Sequence, residues 1–316
     1  VTTLERLSAE GISPAVDRAI GFLDRAQLPS GEFRADRYSD RSMTRNAQCK
    51  STPYGTAYVL YSLGFTDNPR SAGLIDRGCR FLLGEMDAPG LWRYFSVGES
   101  ETLPPDLDDT SCAAYVLKDR HDYLILGLSD RLFLLNRTED GRFRTFLSTT
   151  IDDEVCGLVN ANVVLYLGET DETAAACDYL VSLAREGEAG KLSLYGVDDL
   201  LFFYALSRAF YHGARRLGSA REATLRRVAA RRHDDGSYGG SAMNTALAGL
   251  SLLNFGTTDR KSIARTADFL LARQQDDGSW PRDALYVDFD SGFYGSGEIT
   301  TALCIEALTR SAKALG

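Results

Sequence analysis

The chain repeats itself, and this constrains its fold more than any other feature. Each unit reads as an apolar helix with a charged side, a polar turn with Gly, an aromatic residue, and a second, more apolar helix. AIGFLDRAQLPSGEF leads to TPYGTAYVLYSL, GCRFLLGEMDAPGLWRY to DLDDTSCAAYVL, and RLFLLNRTEDGRFRTF to DEVCGLVNANVVLYL. A weaker copy pairs ACDYLVSLAREGEAGKLSLYG with DDLLFFYALSRAF. The last two pair TLRRVAARRHDDGSYGG with NTALAGLSLL and TADFLLARQQDDGSWPR with EITTALCIEAL. Phe22, Phe81, Leu134, Tyr179, Val228 and Phe269 anchor six units of about 50 residues, each long enough for two helices plus turns.

The second helix of each unit is apolar nearly all round, whereas the first carries Arg, Asp and Glu on one side. A helix apolar on every face is buried, and an amphipathic one lies outside. Six inner and six outer helices alternating along a chain close into a two-layered ring. The expected fold is therefore all-α, a single (α/α)6 toroid of about twelve alternating helices, with residues 1–316 as one domain. An open solenoid would need atypical end caps, which are not evident. Sustained period-two alternation is missing, so strands are not expected.

Composition bounds the partners. The 316 residues carry 35 Lys+Arg against 44 Asp+Glu, a formal charge of −9. That balance gives no electrostatic reason to expect nucleic acid or an anionic membrane. No apolar run approaches the roughly 20 residues of a membrane span. The first residues lack the plan of a signal peptide. Six scattered cysteines without a CxxC pair point to free, mostly buried thiols and a cytoplasmic setting.

The stretch RTADFLLARQQDDGSW resembles the QW repeat of squalene and terpenoid cyclases, with Phe269, Gln274 or Gln275, Gly278 and Trp280 in its slots. FLDRAQLPSGEF is a degenerate copy, with Gln27, Gly31 and Phe33. These read as scaffold: the Gln amide ties a helix end to the next turn, Gly supplies a positive φ, and the aromatic packs between layers.

Asp106-Leu107-Asp108-Asp109-Thr110, after Pro104-Pro105, resembles the DxDDT segment of class II terpenoid cyclases. The resemblance implies that Asp108 is the general acid that protonates an isoprenoid double bond or epoxide, with Asp106 and Asp109 tuning it. Such an acid must be neutral yet ready to lose its proton, and neighbouring carboxylates push one Asp that way. The same residues also make a good helix start, with acids facing the macrodipole. Family members of this class usually carry two toroids with the substrate cavity between them. This chain covers one, which places the site in the ring's own lumen or at an interface with a partner chain or second copy. A linear isoprenoid smaller than squalene is the expected substrate.

Further acids stand where inner helices should begin: Asp152-Asp153-Glu154, Asp198-Asp199 and Glu298. Inner helices of a ring begin at one pole, so these acids would converge on it, and mutual repulsion would be relieved by protonation or a cation. Proton-initiated cyclisation needs no cofactor, but Mg is a candidate at this pole. Asp153, Asp199 and Glu298 are taken as substrate-binding candidates. Tyr54, Trp92 and Phe202 are the aromatic candidates for the lumen, where ring faces would stabilise a carbocation and exclude water.

The expected activity is thus a terpene cyclase, an isomerase or lyase of isoprenoid biosynthesis. An alternative is a carbohydrate hydrolase or lyase, since (α/α)6 toroids also host paired-carboxylate enzymes; Asp108 with Asp153 or Asp199 would be the pair. A third possibility is a non-catalytic toroid that binds a lipid or a protein.

Overall fold

The computed structural model describes residues 7, 9–118, 126–148, 155–288 and 290–316. The described residues form twelve α-helices: α1 (Ala9–Ala26), α2 (Pro53–Leu63), α3 (Pro69–Gly84), α4 (Leu107–Leu117), α5 (Leu126–Leu135), α6 (Gly157–Leu167), α7 (Ala174–Glu186), α8 (Asp199–Tyr211), α9 (Arg221–Ala229), α10 (Ala242–Asn254), α11 (Arg260–Arg273) and α12 (Gly297–Leu315). A short 3-10 helix, Arg215–Ala220, precedes α9. The even-numbered helices pack in succession, and α12 returns to pack on α2, closing an inner ring. The odd-numbered helices form the outer layer. This is the α/α toroid, with the inner and outer assignments as the repeat expects.

The two layers follow from the two kinds of helix. Every residue of α2 is buried, as are most of α6, α10 and α12. Outer α3 buries Leu74, Ile75, Cys79, Phe81 and Leu82 and leaves its arginines at the surface. Five of the six inner helices begin with side-chain caps that satisfy otherwise orphaned amides: Thr52 for α2, Asp106 for α4, Asp198 for α8, Ser241 for α10 and Ser296 for α12.

The repeat turns interlock neighbouring units. Gln274 Nε2 donates to Ala15 O and Gly278 O (2.8 and 3.0 Å), joining the last outer helix to the first. Gln27 Nε2 donates likewise to Leu74 O and Gly31 O, both at 2.9 Å. Gly278 has φ +92°, and a Cβ there would meet Arg18 O at 2.3 Å, so no other residue fits this close approach. After five of the six turns an aromatic backbone N–H is received by a polar side chain one turn into the inner helix. Phe33 pairs with Thr56, Trp92 with Thr110, Phe143 with Asn160, Tyr238 with Thr245, and Trp280 with Thr301, at 2.9–3.2 Å.

A small sheet was not expected. Strands β1 (Ala35–Tyr38), β2 (Gln48–Lys50), β3 (Tyr286–Val287) and β4 (Phe293–Gly295) form an antiparallel sheet in the order β2-β1-β4-β3. They lie in the connections that enter α2 and α12, so the first and last units pair with each other, Arg37 opposite Tyr294. Strands of two to four residues are too short to leave an alternating pattern, and pairing between distant segments leaves no local trace. None of the six cysteines is joined in a disulfide; five are buried, while Cys49 is exposed on the edge strand β2.

Candidate active site

The N-terminal pole of the inner ring holds a cavity of about 450 Å³, within the usual range of small-molecule sites. Its walls come from connections and first turns. Tyr54 opens α2, Asp106, Asp108 and Asp109 open α4, and Leu158 opens α6. Tyr94 and Phe95 belong to the connection before α4, and Tyr286 and Tyr294 to the sheet.

The three aspartates have different surroundings. Asp106 caps α4, its Oδ1 accepting from the Asp109 amide at 2.8 Å. Asp109 is buried, and burial, followed by the neighbouring Asp106 carboxylate, raises its pKa well above the carboxylate range. Its Oδ1 and the hydroxyl of Thr145, both buried on the cavity wall, have no protein hydrogen-bond partner. Asp108 is half-buried and faces the cavity. Desolvation raises its pKa to about 7, with the Asp106 charge adding to the rise, while the Asn162 hydrogen bond, Arg208 and Tyr54 oppose it. Asn162 Nδ2 donates to Asp108 Oδ1 at 2.6 Å. Near neutral pH a large share of Asp108 therefore carries a proton, and a hydrogen-bond donor stands ready for the carboxylate left by its loss.

Four tyrosines make an aromatic wall beside this acid. Tyr286 and Tyr294 are stacked at 5.1 Å. Tyr94 meets both edge-on at 5.5 and 5.6 Å, and Tyr54 meets Tyr286 edge-on at 5.4 Å. The Tyr94 and Tyr286 hydroxyls are hydrogen-bonded to each other. Ring faces at such spacing attract a cation by about 0.5–2 kcal/mol each once water is excluded.

The lumen below the cavity is filled. Arg208 of α8 sits there, 2 % exposed, with the rings of Tyr58, Tyr61 and Tyr204 at 5.0, 4.8 and 5.1 Å. The site is thus the polar end of the ring rather than the lumen itself.

Of the aromatic candidates, Tyr54 lines the cavity and the other two do not. Trp92 is fully buried between layers, its Nε1 donating to Leu82 O at 2.7 Å. It is the repeat aromatic of the second unit, matching Trp280, whose Nε1 donates to Leu270 O at 2.8 Å. Phe202 is also fully buried, edge-on to Phe203, at the inner-helix position that elsewhere holds Thr or Asn. Both are wedges between layers because the repeat directs them away from the pole.

The acids converge only in part. Asp199 turns away from the cavity and accepts from the Gly190 amide at 2.8 Å. Asp198 is ion-paired with Arg231 at 2.6 Å. Glu298 does not line the cavity; its raised pKa comes first from burial. Asp153, with Asp152 and Glu154, lies outside the described residues. Among the described residues no group of three or more His, Cys, Asp or Glu is arranged to hold a metal ion, so the Mg expectation finds no ligand set there.

Sequence reasoning missed Arg37, Phe95, Glu101, Tyr286, Asp288 and Asp290, all on the cavity wall. Arg37 Nε donates to Asp288 Oδ2 at 2.9 Å across the sheet. The available signal was the length of the connections 27–52 and 274–296, which exceeds what a turn between packed helices needs.

No family model matches the chain, and no curated protein matches it. Solved structures do. A protein from Actinoplanes is similar at 19% identity and TM-score 0.76, over 95% of this chain and 99% of that one. The type II terpene cyclase MstE from Scytonema is similar at 17% identity and TM-score 0.78, over 96% and 99%. The R337A form of MstE, bound to its substrate geranylgeranyl dihydroxybenzoate, is similar at 18% and 0.76, over 99% of each chain. A possible GH105-family member from Klebsiella pneumoniae is similar at 11% and 0.61, over 97% and 94%. At these identities the likeness establishes the fold. Chemistry has to be argued from the site.

Proposed function

We propose that the chain is a class II-like terpenoid cyclase in which Asp108 starts ring closure by protonating a double bond or epoxide of a linear isoprenoid. The observation that carries this reading is a single one: a half-buried carboxyl with pKa about 7, held on one oxygen, facing a cavity walled by tyrosines.

Asp108 gives its proton to one carbon of the terminal double bond, whose electron pair forms the new C–H bond. The neighbouring carbon becomes cationic and is attacked by the next double bond. The faces of Tyr54, Tyr94, Tyr286 and Tyr294 stabilise that charge and shield it from water on their side of the cavity. Loss of a proton at the end makes the net change an isomerisation. Asp106 and Asp109 flank and tune Asp108, as the DxDDT resemblance implies, the Asp106 charge adding to the rise of its pKa. The MstE substrate, geranylgeranyl dihydroxybenzoate, makes a prenylated aromatic acid a suitable first probe.

The carbohydrate reading has less support, because Asp199 does not face Asp108 across the cavity and both tryptophans are buried between layers. The deciding experiment is a product profile by gas chromatography–mass spectrometry. Linear isoprenoids of increasing length, free, as diphosphates and as prenylated phenols, are incubated with wild type and Asp108→Asn, with and without EDTA. A cyclic product that needs Asp108 and ignores EDTA is expected. Turnover abolished by EDTA would overturn the metal-free mechanism.

A further inference from the structure

We propose that Arg208 is a positioning residue that sets the acid strength of Asp108 through the side chain of Asn162. The functional part of this inference rests on the cyclase reading; the electrostatic part does not.

Arg208 Nη2 donates to Asn162 Oδ1 at 2.6 Å, and Nδ2 of the same amide donates to Asp108 Oδ1 at 2.6 Å. A guanidinium has donors only, so the amide oxygen must face Arg208 and the NH2 must face Asp108. The arrangement therefore leaves Asn162 no choice of orientation. It offers Asp108 a donor, which favours the carboxylate, and leaves the acid's other oxygen to carry the proton.

Arg208 is a buried cation without an ordinary counter-ion among the described residues. Among the described residues no carboxylate lies within ion-pair distance of it. Glu306, the acid that α12 brings into this core, is taken by Arg310 (2.9 Å), Ser62 (3.0 Å) and Tyr204 (3.1 Å). Three tyrosine faces offset part of the desolvation cost, but a buried charge normally requires an anion. That anion forms one amide away when Asp108 surrenders its proton. The cation is then matched at the moment of reaction, which strengthens the acid without opening the ring to water.

The other groups facing Asp108 do not supply this. Asp106 and Asp109 on its own helix are acidic, Tyr54 and Tyr58 come from α2, Cys112 from α4, and Cys156 from the connection before α6. On the far side of Arg208, burial and three neighbouring cations push His212 down to about 4, so it stays neutral. Arg310 is held by Glu306.

The test is a titration of Asp108 by carbon-13 NMR of carboxyl-labelled aspartate, with Asp108→Asn to assign the resonance; it requires no substrate. In Arg208→Gln and in Asn162→Ser the Asp108 pKa is expected to rise by about one unit. In turnover, the high-pH limb of kcat should move up by the same amount while the rate below it falls by up to about tenfold, because the acid is weaker. Arg208→Lys should restore part of both. Asn162→Ser leaves the cation and its tyrosine cage in place and carries the test alone should Arg208→Gln not fold. An Asp108 titration unmoved in Asn162→Ser, or unmoved in a folded Arg208→Gln or Arg208→Lys, overturns the proposal. A moved titration in a protein that cyclises none of the isoprenoids leaves the electrostatic link standing and removes the cyclase reading.

Discussion

The amide of Asn162 and the carboxyl of Asp108 meet at 2.6 Å across the inner ring, one from α6 and the other from the first turn of α4. Asn162 is fully buried, and no feature of its local sequence, NANVVLYL, marks it as an acid's partner. The contact exists because adjacent inner helices pack side by side. It fixes one carboxyl oxygen of a residue that lines the cavity.

Asp108→Asn should remove cyclisation by about 10³-fold or more, since general acid catalysis contributes roughly 10²–10⁴ and no other group takes its place. The amide oxygen still accepts from Asn162, so the fold should persist. Product yield and a circular-dichroism melting curve on the same preparation check both halves. A variant that keeps wild-type yield while folded would exclude Asp108 as the acid.

The pH dependence has a defined sign. In the proposed mechanism Asp108 acts in its protonated form, and burial has raised its pKa to about 7. Activity should therefore hold at lower pH and decline as pH rises through about 7. Stability runs the same way: a carboxyl with a raised folded pKa favours the folded state fully below its unfolded pKa near 4 and loses that contribution up to about 7. Urea midpoints at pH 5 and 7.5 should differ less in Asp108→Asn than in wild type.

Trp92 and Tyr286 should separate scaffold from wall. Trp92→Ala removes a fully buried wedge and should cost about 3–5 kcal/mol, whereas Trp92→Phe should leave the product spectrum unchanged. Tyr286→Leu removes a stacked cavity face and should redistribute products toward earlier-quenched species with a smaller loss of stability. A changed spectrum in Trp92→Phe would contradict its placement between layers.

Thr110→Val tests the recurring link between turn and inner helix. The substitution keeps volume and removes the acceptor for the Trp92 N–H, leaving that amide buried and unpaired. A destabilisation of about 1–3 kcal/mol is expected by urea denaturation. Thr301→Val should cost a similar amount, because the Trp280 N–H depends on Thr301 in the same way.

Much of this molecule was written locally. Alternating amphipathic and all-apolar helices dictated two layers, six repeats dictated a closed ring, and Pro104-Pro105-Asp106 marked the helix start that carries Asp108. These signals are legible because periodicity, capping and glycine turns act within a few residues of chain. Apart from the small sheet, the expectations that failed were those that required knowing which way a side chain faces. Trp92 and Phe202 have the composition of a cation site, but the repeat spends them on packing between layers. Asp199 is diverted to a backbone amide, and Asp198 to Arg231.

The tertiary structure alone decided the rest. The sheet that joins residues 35–50 to residues 286–295 exists only because the ring closes and brings its ends together. Closure carries Arg37, Tyr286, Tyr294 and Asp288 to the mouth above Asp108. It also drives Arg208 of α8 into the centre, where Asn162 connects it to the acid. The sequence by itself determined the helices, their layers and the helix start that carries Asp108; the surroundings that keep Asp108 protonated near neutral pH come from contacts between distant helices, because desolvation and charge depend on distance in space rather than along the chain.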